Sequence, residues 1–194
     1  MAKNKKPRKQ YHPRPCRTPI LTDADRAKIV SLIEQVEFAV YNHFPRGEAE
    51  YQHLDAVRRV MNHAMAGMLH RRNALDDDEC SRAILTFFSA GEALHAVAAR
   101  RNKLYHQGRR DHLFVFTVDE LKAVERGYVI ASDFVKDSLD ACPAACLKEY
   151  YAAMILDKQI SAGQIRDGVL LAEVVDVVID TLSKTPTTEW SKLT

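Results

Sequence analysis

At 194 residues, 46% hydrophobic and 28% charged, the chain is long enough to bury one core without disulfides or metals. It is too even in composition for a disordered or membrane-spanning protein. The net charge of +2 is unevenly placed: Lys3, Lys5, Lys6, Arg8, Lys9, Arg14 and Arg17 lie in residues 1–20 without an acid among them, which leaves −5 on the remainder and argues against a body that binds nucleic acid over its whole surface.

Residues 1–20 read as an extended basic arm, because Pro7, Pro13, Pro15 and Pro19 oppose a helix and the like charges repel. The prolines stand where a secretory signal would have its apolar run, so none is expected. Thr22 has the character of an N-cap, followed by Asp23 and Asp25 in a first turn. Ile29, Ile33, Val36, Val40 and Phe44 form one helical face, and Pro45 and Gly47 stop it. A second helix is predicted over residues 48–72, with Leu54, Val57, Met61, Met65 and Met68 on one side and His70, Arg71 and Arg72 in the last turn. A third begins near Asp76 and reaches Tyr105.

Residues 107–116 read as a loop, in which Leu113–Phe116 suits a short extended piece. Thr117-Val-Asp-Glu120 is a capping-box pattern that opens a fourth helix, and Pro143 opens a fifth reaching Gln159. Ser161-Ala-Gly-Gln164 matches the same pattern and predicts a sixth helix to Ser183. That helix is apolar on nearly every side, with only Glu173, Asp176 and Asp180 as a polar stripe, so burial at the centre is expected ahead of a subunit interface. Its apolar run, Val169–Ile179, is too short for a bilayer and is interrupted by acids, so no membrane partner is expected. Residues 184–194 read as a tail from which Trp190 docks. The expectation is an all-α fold: an arm (1–20), one bundle of five to six helices (21–183) and a C-terminal tail (184–194). Cys16, Cys80, Cys142 and Cys146 are sparse and irregularly spaced, as reduced thiols of a cytoplasmic protein would be.

Three sets of residues suggest chemistry. Arg101-Asn-Lys-Leu-Tyr-His106, followed by Gly108, resembles the catalytic signature of HEPN domains. The resemblance implies metal-independent RNA cleavage, with His106 exchanging protons, Arg101 stabilising phosphate charge and Asn102 orienting the group, usually at a site shared by two protomers. The plainer reading makes Arg100, Arg101 and Lys103 cations at a helix C-terminus, capped by His106. The pairs Glu50/His53 and Glu92/His95 match the Glu-x-x-His spacing of diiron bundles, with Glu34, Glu37, Glu120 or Glu125 as lone ligands. An acidic first turn accounts for Glu50 without a metal, and no metal or other cofactor is expected. His53, His63 and His70 fall along one side of the second helix and read as solvated. Cys142 and Cys146 lack the spacing of a redox or zinc pair.

The arm is the third set. Its cations, interleaved with Tyr11 and His12, suit a phosphate backbone, with Tyr11 placed to stack on a base. Tyr11-His-Pro-Arg-Pro-Cys-Arg-Thr-Pro19 resembles the opening of small helical proteins encoded by phages and mobile elements. The likeness extends through Asn62-His63-Ala64, the Asp76–Leu94 segment and the FTVDEL run from Phe116. It implies a non-enzymatic accessory protein that uses its arm on a host or defence-system protein or nucleoprotein, RNA or DNA backbone included. A HEPN-like ribonuclease and a bundle metalloprotein are the alternatives. A homodimer is compatible with each.

Overall fold

The computed structural model describes residues 19–109, 113–165 and 168–194. These form an all-α bundle with seven α-helices. Helix α1 (Asp23–Phe38) starts at Thr22, whose Oγ1 accepts from the Asp25 N–H at 3.2 Å. It runs on through a π-turn at Ala39–His43 and a 3₁₀ turn at Phe44–Arg46. Helix α2 (Tyr51–His70) begins later than residue 48, because Ala49 is already committed elsewhere: its carbonyl accepts from the Phe114 N–H at 2.8 Å. That isolated bridge is all the extended pairing that Leu113–Phe116 makes among the described residues.

Helix α3 (Asp77–His106) is the longest, N-capped by the Asp76 carboxylate. Helix α4 (Val118–Ala141) has the reciprocal cap that its sequence predicts: Thr117 Oγ1 accepts from the Glu120 N–H, and Glu120 Oε2 accepts from the Thr117 N–H at 2.8 Å. Pro143 opens α5 (Pro143–Ser161).

The second capping-box reading is overturned, because residues 162–165 turn away from helical geometry and α6 is described as Gly168–Lys184. Ser161 instead closes α5. Gly163, at φ 72°, donates to the Ile160 carbonyl, and Gln164 donates to the Gln159 carbonyl, both at 2.9 Å. That is the αL stop which a glycine three residues into a would-be helix favours. Gly108, at φ 82°, ends α3 by the same device.

Helix α2 is the hub and touches α1, α3, α4, α5 and α6. Its buried side chains include Val57, Val60, Met61, Ala64 and Met68. Helices α1 and α4 run antiparallel, with Arg26 bonded to Asp140 at 3.2 Å at one end and Tyr41 edge-on to Tyr128 at the other. Helix α3 lies along α4, and the two backbones come close at Gly127, where a Cβ would stand 2.8 Å from the Ala90 Cβ.

Helix α6 is less enclosed than its composition suggests. Leu171, Val175, Val178, Ile179 and Leu182 are buried against α5 and α2, while Val177 is 65% exposed. The tail folds back as α7 (Trp190–Leu193): the Trp190 indole N–H donates to the Leu182 and Thr185 carbonyls, and its ring meets Tyr151 edge-on. No described helix is long and apolar enough to cross a membrane.

Candidate functional site

The Arg101–His106 string lies wholly within the last turns of α3. Arg100 braces this end of the helix, donating to both Glu120 oxygens and to the Val115 carbonyl. The Arg100 hydrogen bond is the main cause that holds the Glu120 carboxyl below its ordinary range. The Arg101 guanidinium lies over the Tyr105 and Phe114 rings, at 5.3 and 5.5 Å, and donates to Asn102 Oδ1 at 3.2 Å. His106 is exposed and meets Tyr105 edge-on. His106 lies five helical steps beyond Arg101, a rotation of about 140° and a rise of about 7.5 Å. The two side chains therefore leave the helix in different directions.

The Glu-x-x-His pairs serve other ends. Glu50 and His53 cap α2: the His53 N–H donates to the Glu50 carbonyl, and the Glu50 N–H donates to His53 Nδ1, both at 3.0 Å. That ring nitrogen is thus occupied, and burial together with the neighbouring His43 lowers the His53 pKa. Glu92 and His95 are exposed on α3. Among the described residues no three His, Cys, Asp or Glu side chains gather as a metal site.

The histidines of α2 are not a solvated face. His63 is 2% exposed, and its Nε2 lies 3.0 Å from the Cys146 carbonyl. Burial pushes its pKa down to about 4, so the ring is neutral and Nε2–H is the donor. His70 Nδ1–H donates to Glu149 Oε1 at 3.0 Å. Glu149, fully buried on α5, also receives Arg71 Nε at 2.7 Å, and Arg71 Nη2 bonds both the other carboxylate oxygen and Ser138 Oγ. Burial alone would raise the Glu149 pKa; the hydrogen bonds from His70 and Arg71 outweigh it and lower the pKa. Sequence reasoning missed this knot, which ties α2, α4 and α5. The available signal was Glu149 itself, which sits in register with Cys146, Ala153 and Leu156, the spacing of a core-facing stripe.

What remains on the surface is the side of α3 turned away from α4. Between α2 and α3 runs a groove of about 440 Å³, lined by Met61, Met65, Phe87, Phe88 and Gly91 and rimmed by Arg58, Glu92 and His95. Adjoining hollows extend it past Leu54 and Tyr51 to Arg101 and Asn102. The arm residues Lys3, Lys5, Lys6, Arg8, Lys9, Tyr11, Arg14 and Arg17 lie outside the described residues. No family model, curated protein or solved structure matches the chain.

Proposed function

We propose that the chain is a non-enzymatic accessory protein, of the kind that phages and prophages encode, which binds a host or defence-system protein or nucleoprotein through its cationic arm. The observation that carries this reading is the segregation of charge: seven cations and no acid in residues 1–20, against −5 on the rest. A concentrated cationic segment on a mildly acidic carrier confines anion recognition to one place. The geometry of the body is in keeping with it. Arg101 and His106 diverge, Glu50 and His53 cap a helix, and Glu149, His70 and His63 are spent on holding helices together.

The test is affinity purification of the full chain, and of a variant lacking residues 1–18, from phage-infected bacterial cells, with and without nuclease. The expected result is a partner retained by the full chain and lost from the shortened one. Loss on nuclease treatment identifies a nucleoprotein contact, and its affinity then falls steeply with salt. Equal retention by both forms overturns the reading. So does RNA cleavage that disappears in a folded His106→Ala variant.

A further inference from the structure

Helix α3 carries an outward stripe that nothing in the described chain covers. Leu85 is 67% exposed and Phe88 47% exposed, and Ser81, Glu92, His95 and Ala99 continue the line at alternating steps of four and three residues. That spacing is the seam of a helix paired with another helix.

Gly91 lies beside the stripe, on the groove side, and stands out from Gly67 and Gly127. A Cβ at Gly67 would meet Phe134 at 2.6 Å, and one at Gly127 would meet Ala90 at 2.8 Å, so close packing inside the chain demands both. A Cβ at Gly91 would meet nothing within 4 Å. A glycine in the middle of a 30-residue helix weakens it, and here no contact within the chain repays that weakness. It leaves a hollow one turn from a protruding ring.

The charges along α3 are also polarised. Asp77, Asp78 and Glu79 open the helix and Lys103 and His106 close it; among the described residues none of these five forms an ion pair.

We propose that the α3 face binds a second copy of this chain, the two α3 helices lying antiparallel about a two-fold axis near Ser89 and Ala90, with Phe88 seated over the partner's Gly91. Two independent features give the same register. Phe88 and Gly91 are three residues apart, so one axis between them fills both hollows at once, as an isologous contact requires. The same axis sets Asp77 and Asp78 against the partner's Lys103 at each end of the contact. Leu85 is then covered beside the partner's His95. Pairing brings two copies of residues 1–18 onto one particle, which raises the avidity for any extended anionic target without adding a contact.

Sedimentation equilibrium of the full chain across a range of concentrations tests the proposal, with folding of each variant checked by circular dichroism. The wild type is expected to pass reversibly from monomer to dimer. Phe88→Asp and Gly91→Leu each raise the dissociation constant by about tenfold or more, since one puts a charge and the other a bulk at the centre of the contact. Asp77→Lys/Asp78→Lys weakens the dimer, Lys103→Glu weakens it too, and the three changes combined restore it. A chain that stays monomeric at all concentrations overturns the inference, as does a dimer indifferent to Phe88→Asp or charge reversals that fail to compensate. Removal of residues 1–18 leaves the dimer intact. This surface and the arm's role in partner binding therefore stand or fall separately.

Discussion

Arg71 closes over both carboxylate oxygens of Glu149, and the acid it holds is the one buried carboxylate among the described residues. Arg71 is the C-cap of α2 and Glu149 lies on α5, and Ser138 of α4 shares the same guanidinium. An ion pair in this position fixes how three helices meet. It is less informative about net stability, because withdrawing the two charges from water offsets most of their attraction.

Breaking one side of the pair should be costly. Glu149→Gln leaves Arg71 half-buried without its counter-charge, and a loss of about 3 kcal/mol in urea unfolding is expected. Replacing both, as Glu149→Leu with Arg71→Met, should recover most of that loss, because no buried charge remains. A double variant as unstable as the single would show that the hydrogen-bond geometry, and not the unpaired charge, sets the cost.

Acid should unfold the protein in two stages. His63 is neutral in the folded state with a pKa near 4, lowered first by burial, against an ordinary value of 6.5. Between those two values the unfolded chain binds the proton and the folded one does not. Stability is therefore full above about pH 6.5 and falls by about 3 kcal/mol as the pH drops toward 4. Glu149 acts in the same sense at lower pH: its lowered pKa gives a contribution that is present above the ordinary carboxylate range and lost as the pH falls below it. His63→Gln should remove the first stage and keep the second. A slope between pH 6.5 and 4 that survives the substitution would assign it to other groups, with His53 first among them.

The elements that local rules specify were legible in the sequence. Thr22, Asp76 and Thr117 cap helices because their side chains reach the N–H groups of the first turn whatever packs around them. The start of α6 was not legible, because Ser161-Ala-Gly-Gln164 satisfies two rules at once and only the chain's path decides between them. Gly163 took the αL position, and the stop prevailed over the start. The candidate site was less legible still. Arg101 and His106 are close in sequence but point apart on a continuous helix. The reactive-looking groups that do meet, His63 with Cys146 and His70 with Glu149, come from segments about eighty residues apart. No spacing rule joins residues across that distance.

The helical glycines give a comparison within one chain. Gly91→Ala should stabilise the monomer by about 0.5–1 kcal/mol, because it removes a flexible residue where the added methyl meets open space. Gly67→Ala and Gly127→Ala should destabilise it, since Phe134 in one case and the Ala90 methyl and Met61 sulfur in the other stand too near. Thermal melts at low protein concentration would decide. A loss of stability for Gly91→Ala would reveal an internal requirement for glycine at that position.

Thiol chemistry should separate the cysteines by burial. Cys142 is exposed at the junction of α4 and α5, whereas Cys80 and Cys146 are buried. Burial pushes the Cys146 thiol up to about 11 and raises that of Cys80, so each is both shielded and protonated at neutral pH. In a Cys16→Ser background, a maleimide should modify Cys142 quickly. It should reach the other two only through opening of the bundle, at rates slower by on the order of a hundredfold or more. Mass spectrometry of peptides after timed quenching distinguishes the three. Cys146 lies behind the His63 ring, and its sulfur is 3.6 Å from Nε2. Its labelling therefore also reports on the α2–α5 contact. Protonating His63 below about pH 4 should bring its labelling rate closer to that of Cys142, once both rates are corrected for thiolate fraction. Equal rates for Cys142 and Cys146 at neutral pH would mean that α5 leaves α2 readily, which is incompatible with the knot at Glu149 holding the bundle closed.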